Sequence, residues 1–290
     1  MNRLPVSTIL AVRNGERFLG QAIESVLAEP IAELIIVDDG STDGTHHIIS
    51  EFERRDSRVI LLRTDATTGS GVGAARNLGL KTSVLPYIAF MDADDIWLPG
   101  KTKRQLEKLG YERMAYASSD VDHFLEPGYE LPKSLRADKL GRISLFFPPN
   151  FLAHRYVFEV VGGFDPGLVC ANDVDWYRRA LALGVTRRHV PEILVRKRVH
   201  SSNLSMGQGH DMAQQLLIVA RRKVEPRMFP VIQHRCAQPQ TAKHGKWGPG
   251  IDECYEKDGE YWIDNGEYSS QVNFCPVCGT RAPVQVAHGA

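Results

Sequence analysis

The feature that most limits the possible folds is a regular alternation of two kinds of segment between Val6 and Ala117. Short apolar runs are separated by stretches in which apolar residues recur every three or four positions, as they do along the buried face of a helix. Strands that alternate with helices in this way predict an α/β fold with a mostly parallel, doubly wound sheet. The apolar runs are Val6–Val12, Leu34–Val37, Val59–Leu62, Tyr87–Met91 and Met114–Ala117.

Acidic clusters follow two of these runs directly. Leu34–Val37 leads into Asp38–Ser41, and Tyr87–Met91 leads into Asp92–Asp95. Open α/β sheets bind their ligands outside the carboxyl ends of the strands. We therefore expect both acidic clusters to lie at one ligand-binding edge of the sheet.

The chemistry of these clusters suits a phosphorylated ligand. Asp92 and Asp94 are alternate residues at a strand end, so their carboxylates can point into one cleft and hold Mg2+ or Mn2+ together with substrate phosphates. Such a cation would stabilise the charge of a departing diphosphate. Asp38 could accept hydrogen bonds from a base or a ribose. The same acids could instead cap the turns and helices that follow them.

Four segments occur in the order and at the separations that resemble the family 2 glycosyltransferases. The resemblance is strongest over Pro5–Leu109 and extends to about Ser205. It implies the GT-A nucleotide-sugar-binding fold and an inverting transferase that moves a sugar, most often from a UDP-sugar, with Mn2+ or Mg2+. The four segments are Val6–Val12, Val37–Asp43, Ala75–Asn77 and Asp92–Asp95.

The same resemblance implies roles for single residues on the donor side. Asp92 and Ala93 would contact the ribose or the diphosphate, and Asp94 would ligate the metal together with Asp92. Arg76 would lie near the diphosphate or support the glycine-rich turn. His200 would approach the metal or the diphosphate. The residues expected along the nucleoside are Ala11, Val12 and Arg13, with Asp38 holding the base.

A second segment of the chain supplies a candidate catalytic base. Asn172–Arg178 follows Gly162–Asp165 and resembles the acceptor-side segment of the same family, in which a Glu-Asp pair opens a helix. An inverting displacement needs one carboxylate to take the acceptor proton. Asp173 occupies the place of that carboxylate, with Asp175 in reserve. Asn172 stands where the family usually has glutamate, which leaves a non-catalytic nucleotide-sugar-binding protein as an alternative.

The composition changes beyond about Pro226, which predicts a glycosyltransferase domain at 1–225 and a small β-rich module at 226–290. Cys275 and Cys278 are separated by two residues and followed by a glycine, as in a zinc knuckle. Two further ligands would complete a structural Zn2+ site resembling a zinc ribbon. Cys254 is the expected third ligand, and the fourth is Cys236, with His234 or His244 as alternatives.

Charge, hydropathy and one missing motif argue against several other classes of protein. Lys and Arg number 35 and Asp and Glu also number 35, so the chain lacks the basic excess of a nucleic-acid binder. No apolar run is long enough for a transmembrane segment, and we expect a cytoplasmic enzyme. A dehydrogenase is disfavoured because the first strand is not followed by a GxGxxG turn. A nucleotidyltransferase is an alternative enzyme class. The sequence does not indicate whether the acceptor is a glycan, a lipid, a peptide or a small metabolite.

Overall fold

A computed structural model describes residues 3–64, 69–130, 141–144, 147–201, 203, 209–222, 253–257, 260–264 and 269–272. The chain divides into two compact units, Met1–Pro226 and Arg227–Ala290. Nothing in the described ranges is a helix both long and apolar enough to cross a lipid bilayer.

The N-terminal half of the first unit, from Leu4 to Asp92, consists of successive βα units. Its four strands are parallel and lie in the order β3-β2-β1-β4. The predicted α/β fold is therefore confirmed. The elements are β1 (Leu4–Val12), α1 (Leu19–Leu27), β2 (Ile31–Asp38), α2 (Thr45–Arg55), β3 (Val59–Arg63), α3 (Val72–Thr82) and β4 (Tyr87–Asp92).

The C-terminal half, from Ile96 to Arg221, extends the same sheet with strands of both directions. The order continues from β4 as β8-β6-β9-β5, and β7 pairs with β6. The strand β8 is antiparallel to β4 and β6, whereas β9 is parallel to β6. The sheet is thus parallel in its first half and mixed in its second. The elements are β5 (Ile96–Trp97), α4 (Lys101–Leu109), β6 (Ala115–Leu125), β7 (Gly141–Ile143), β8 (Phe151–His154), α5 (Arg155–Val161), α6 (Asn172–Ala182), β9 (Thr186–Val199) and α7 (Gly209–Arg221).

Helices cover both faces of the sheet, which explains why the central strands are apolar on both sides. Leu34–Val37 has no exposed side chain at all. Phe90, Phe151 and Trp176 belong to an aromatic cluster on one face. Helix α3 lies so close to β1 that a side chain at Gly79 would collide with Ile9. This close packing fixes the position of α3 on β1.

Strand register brings the acidic clusters to one edge of the sheet. Val12 pairs with Asp38, and Ala11 pairs with Asp92. The carboxyl ends of β1, β2 and β4 therefore lie side by side. The end of β9 lies at the same edge, because β9 is parallel to β6 and β6 runs antiparallel to β8.

The second unit contains a three-stranded antiparallel sheet of β10 (Glu253–Lys257), β11 (Glu260–Asp264) and β12 (Ser269–Val272). Of the predicted zinc ligands, Cys254 lies on β10, but its side chain is outside the description. Cys236, Cys275 and Cys278 lie outside the described residues, as do the alternative ligands His234 and His244. The structural Zn2+ site stays a prediction.

Candidate active site

A cleft of about 440 Å³ opens at the carboxyl edge of the sheet in the first unit. One wall comes from the ends of β1 and β4, and the other from the start of α6 and the end of β9. The structure brings nearly all of the sequence-predicted donor and acceptor residues into this cleft. They are Ala11, Val12, Arg13, Arg76, Asp92, Ala93, Asp94, Asp173 and His200.

Three carboxylates form a group at the end of β4. Asp92, Asp94 and Asp95 each offer one oxygen, and these oxygens lie within 4.8 Å of one another. Oxygen ligands at this separation suit a hard divalent cation such as Mn2+ or Mg2+. Asp95 is fully buried and accepts a hydrogen bond from the backbone N–H of Arg198 at 3.0 Å. The residues present therefore fit a divalent metal.

Asp94 is fixed by side chains from the end of β9. His200 Nε2 lies 3.0 Å from Asp94 Oδ2, and Asn203 Nδ2 donates to the same oxygen at 2.9 Å. Arg198 Nε donates to the Asp94 carbonyl at 3.1 Å. Burial alone would raise the pKa of Asp94, but the hydrogen bond with His200 and the charge of Lys197 bring it below its ordinary value. Asp94 is thus an ionised carboxylate at neutral pH.

Arg76 joins the two walls of the cleft. It projects from α3, is 5% exposed, and donates from Nη2 to Asp92 Oδ1 at 2.7 Å. Its Nη1 donates to Asn172 Oδ1 at 3.2 Å. Asn172, at the first position of α6, is therefore the partner of a cation in the cleft. The guanidinium couples the position of α6 to the end of β4.

Asp173 lies in the first turn of α6 and lines the cleft. Its Oδ1 accepts a hydrogen bond from the backbone N–H of Val174 at 2.8 Å. Burial raises its pKa above the ordinary value, Arg76 opposes the shift, and Asp92 adds to it. Asp175 differs, because Arg179 and Arg222 hold it at 2.8 and 3.1 Å. Asp173 is therefore the more accessible of the two, because Asp175 is buried and paired with two arginines.

The structure does not bring Asp38 into the cleft wall. Its side chain is fully buried, and its Oδ1 accepts a hydrogen bond from the backbone N–H of Ser41 at 2.9 Å, which closes the turn after β2. Asp39 binds the next loop through the backbone N–H groups of Ser70 and Gly71, both at 2.8 Å to Oδ2. The turn uses only Oδ1 of Asp38, and the other carboxylate oxygen, Oδ2, is buried without a hydrogen-bond partner among the described residues.

Two further polar side chains in the wall were not singled out as ligands by the sequence. Lys197 and Asn203 flank His200 along the chain and line the same cleft. Their positions depend on how β9 pairs with β6, which brings residues from the end of β9 to the end of β4. The available signal was their proximity to His200 in the sequence.

This architecture is shared with a solved glycosyltransferase. The mannosyltransferase PcManGT from Pyrobaculum calidifontis, in complex with GDP-Man and Mn2+, matches with a TM-score of 0.59 at 16% identity. The match covers 77% of this chain and 66% of that one. The predicted GT-A fold is therefore confirmed, and with it the class of architecture to which this cleft belongs.

Sequence comparison then identifies the family. The family described as "Glycosyl transferase family 2" matches residues 7–168. The putative teichuronic acid biosynthesis glycosyltransferase TuaG of Bacillus subtilis is 34% identical over 213 residues, which are 69% of this chain and 81% of TuaG. The chain belongs to glycosyl transferase family 2, and the prediction that it is a glycosyltransferase is confirmed.

A second relative has a more specific name. It is the UDP-Glc:alpha-D-GlcNAc-diphosphoundecaprenol beta-1,3-glucosyltransferase WfaP of Escherichia coli, 35% identical over 117 residues. The match covers 40% of this chain and 45% of WfaP. Family relatives thus include an enzyme named for a UDP-sugar donor.

Proposed function

We propose that the protein is an inverting, divalent-metal-dependent transferase that moves a sugar from a UDP-sugar to a hydroxyl group of an acceptor. The observation that carries the proposal is the convergence of four groups in one cleft. These are the carboxylates of Asp92 and Asp94, the guanidinium of Arg76 and the basic carboxylate of Asp173. Together they supply a metal site, a cation for phosphate and a proton acceptor.

The donor would lie along the wall built by β1 and β4. The backbone of Ala11–Arg13 would run beside the nucleoside, with Ala93 beside the ribose and diphosphate. Asp92 and Asp94 would hold Mn2+ or Mg2+, with His200 orienting Asp94. When bound, such a cation stabilises negative charge on a departing diphosphate.

Arg76 orients the donor-side carboxylates. Its hydrogen bond to Asp92 Oδ1 at 2.7 Å restricts the orientation of this carboxylate. Because Asn172 is neutral, the guanidinium pairs with one carboxylate here instead of two, so less of its positive charge is offset before a diphosphate binds. Asp92 and Arg76 therefore act as one positioning unit.

Asp173 would take the proton of the acceptor hydroxyl. As the acceptor oxygen bonds to the anomeric carbon, the bond from that carbon to the diphosphate oxygen breaks, and the nucleoside diphosphate leaves with the electron pair. A single displacement of this kind inverts the anomeric configuration. Burial raises the pKa of Asp173, which makes its ionised carboxylate a stronger base than that of an ordinary aspartate.

The names of the relatives favour a carbohydrate acceptor and a UDP-sugar donor. TuaG is named for teichuronic acid biosynthesis, and WfaP for transfer from UDP-Glc to a GlcNAc-diphosphoundecaprenol. PcManGT was solved with GDP-Man, so GDP-sugars form the comparison set for the donor test.

The test is a donor screen on the full chain. Release of nucleoside diphosphate is measured with UDP-sugars and GDP-mannose, with sugar acceptors, and with Mn2+ or EDTA. We expect release from one UDP-sugar, dependent on Mn2+ and on an acceptor, and a product of inverted configuration by NMR. Retained configuration, or equal turnover in EDTA, would contradict the proposal.

We also propose that 1–225 carries the transfer and that 226–290 is a separate zinc-ribbon-like module. The support is the spacing of Cys275 and Cys278 and the proximity of Cys236 and Cys254 in the sequence. Metal analysis of the purified chain should find one Zn2+ per chain, and the double variant Cys275→Ser, Cys278→Ser should lose it. Equal zinc content in both proteins would contradict this assignment.

A further inference from the structure

Lys197 is a cation inside the candidate donor site that the mechanism above does not use. It lies near the end of β9, lines the cleft, and has a side chain 22% exposed. Its Nζ is 3.6 Å from Asp95 Oδ2 and 4.0 Å from the centroid of the Phe147 ring. The ammonium group thus lies beside the acidic residues at the end of β4, in contact with the buried carboxyl group of Asp95 and with an aromatic ring.

Pairing with Asp95 does not use up the hydrogen-bonding capacity of this ammonium group. A distance of 3.6 Å is longer than a hydrogen bond between nitrogen and oxygen. An ammonium group has three N–H donors and no acceptor, so donors remain for a ligand in the cleft. The other oxygen of Asp95 already accepts from the backbone of Arg198 at 3.0 Å. Asp95 therefore anchors Lys197 without saturating it.

The acidic residues of the cleft explain why a cation is needed there when a charged ligand binds. Burial disfavours the charged form of Lys197, but the charges of Asp95, Asp92, Asp94 and Asp173 outweigh it and raise the pKa of this lysine. A nucleoside diphosphate brings further negative charge to the same wall, and Arg76 can offset only part of it because it is paired with Asp92. Lysine is a compact point charge that binds phosphate from a range of directions. Lys197 is placed to offset the charge of that ligand.

We propose that Lys197 binds the diphosphate of the nucleotide-sugar donor, beside the metal held by Asp92 and Asp94. This inference rests on the proposed function. A diphosphate-binding cation next to a metal site has two effects of opposite sign. It attracts the nucleotide, and it repels a metal ion that arrives without a nucleotide. A residue that only supports the fold would weaken both kinds of binding when it is lost.

The experiment measures the binding of UDP, UMP and uridine to the full chain by calorimetry at saturating Mn2+. The variants are Lys197→Met, which keeps the stem, and Lys197→Arg, which keeps the charge. For Lys197→Met we expect UDP to bind about ten- to hundredfold more weakly, with uridine unchanged. Lys197→Arg should restore part of the loss. Arg196→Met is the matched control, because Arg196 pairs with Asp122 at 3.2 Å and should leave UDP binding unchanged.

Binding of Mn2+ alone, followed by electron paramagnetic resonance, separates a ligand role from a structural one. Lys197→Met should bind free Mn2+ at least about twofold more tightly, because a neighbouring positive charge is removed. The Lys197→Met variant leaves the carboxylate of Asp95 without its cation. The comparison is therefore repeated between Asp95→Asn and the double variant Asp95→Asn, Lys197→Met, in which both side chains are uncharged.

The outcomes are distinct. Equal loss of UDP and uridine binding, or UDP binding within twofold of wild type in both backgrounds, overturns the role of Lys197 while the proposed function stands. If the wild-type chain does not bind UDP with Mn2+, the proposed function itself fails, and the role of Lys197 falls with it.

Discussion

The two walls of the cleft are built in different ways. The wall from the N-terminal half consists of strand ends, and its level is set by parallel register, as in the pairing of Ala11 with Asp92. The wall from the C-terminal half consists of side chains from the start of α6 and the end of β9. These are placed by long-range contacts, such as those of Arg76 with Asn172 and of His200 with Asp94.

The difference suits the two walls to different chemical roles. The strand-end wall has carboxylates and backbone, which suit a metal and a nucleotide. The other wall has a basic carboxylate, Asp173, whose removal should leave the first wall intact. If the division is correct, changes in one wall should separate donor binding from transfer, and changes remote from both should affect neither.

The largest expected effect is on the strand-end wall. Asp94→Ala removes a proposed metal ligand, so we expect transfer to fall about a thousandfold or more and Mn2+-dependent donor binding to be lost. Calorimetry of UDP with and without Mn2+ and assays of UDP release check this. Glu107→Ala, an exposed acid on α4, is the matched control and should behave as wild type. Unchanged Mn2+ dependence of donor affinity in Asp94→Ala would refute its role.

The next effect tests the opposite wall. Asp173→Asn keeps the shape of the side chain but removes the proton acceptor, so kcat should fall about 100- to 10,000-fold. Affinity for the UDP-sugar should stay within about twofold, because the strand-end wall is unchanged. Calorimetry and single-turnover assays separate the two quantities. Full transfer by this variant would move the base elsewhere, with Asp175 as the first alternative.

A smaller effect sharpens the electrostatic link between the walls. Transfer requires ionised Asp173, so activity should be lost as pH falls through its raised pKa. Asn172→Asp adds a negative charge beside Asp173, which should raise that pKa further and move the acidic limb of kcat/KM to higher pH by about half a unit to one unit. Profiles of kcat/KM against pH measure the limb in both proteins. A limb that stays in place or moves to lower pH would show that Asp173 does not govern it.

The smallest effect lies at the edge of the sheet opposite the cleft. His154 caps α5, and burial, with Arg113 and Arg155, lowers its pKa from 6.5 to about 4. The unfolded chain therefore binds this proton first, and stability should decrease as pH falls from 6.5 toward 4. His154→Asn keeps a capping group, so its Tm should fall less than that of wild type between pH 7 and 5. Parallel slopes in the two proteins would exclude His154 as the cause.

The sequence predicted the strand-end wall better than the other wall. Strands of the N-terminal half are local βα units, and apolar runs such as Leu34–Val37 show where they end. The pattern did not show which way Asp38 faces, because a strand that is apolar on both sides carries no alternation to indicate orientation. Only the turn closed by Ser41 makes clear that its carboxylate points inward.

In the C-terminal half the sequence placed Asp173 and His200 but could not place Lys197. The reason is that β6 continues to Leu125, well past the predicted end at Ala117, and pairs with β9 along most of its length. Two register shifts occur in that pairing near Asp120. Those shifts determine which residues near the end of β9 line the cleft, Lys197 among them. No local pattern in the sequence predicts such shifts.

The reversed direction of β8 has a consequence for how such enzymes can change. Since β8 ends at His154, beside Tyr87 at the far edge, the chain must travel back along the sheet before α6 can begin at the cleft. Helix α5 and the segment that follows it, up to Ala171, form this return connection. Insertions or deletions in this segment would move Asp173, the proposed proton acceptor, and leave the proposed donor wall of β1 and β4 unchanged. Acceptor specificity could then change while donor binding is kept.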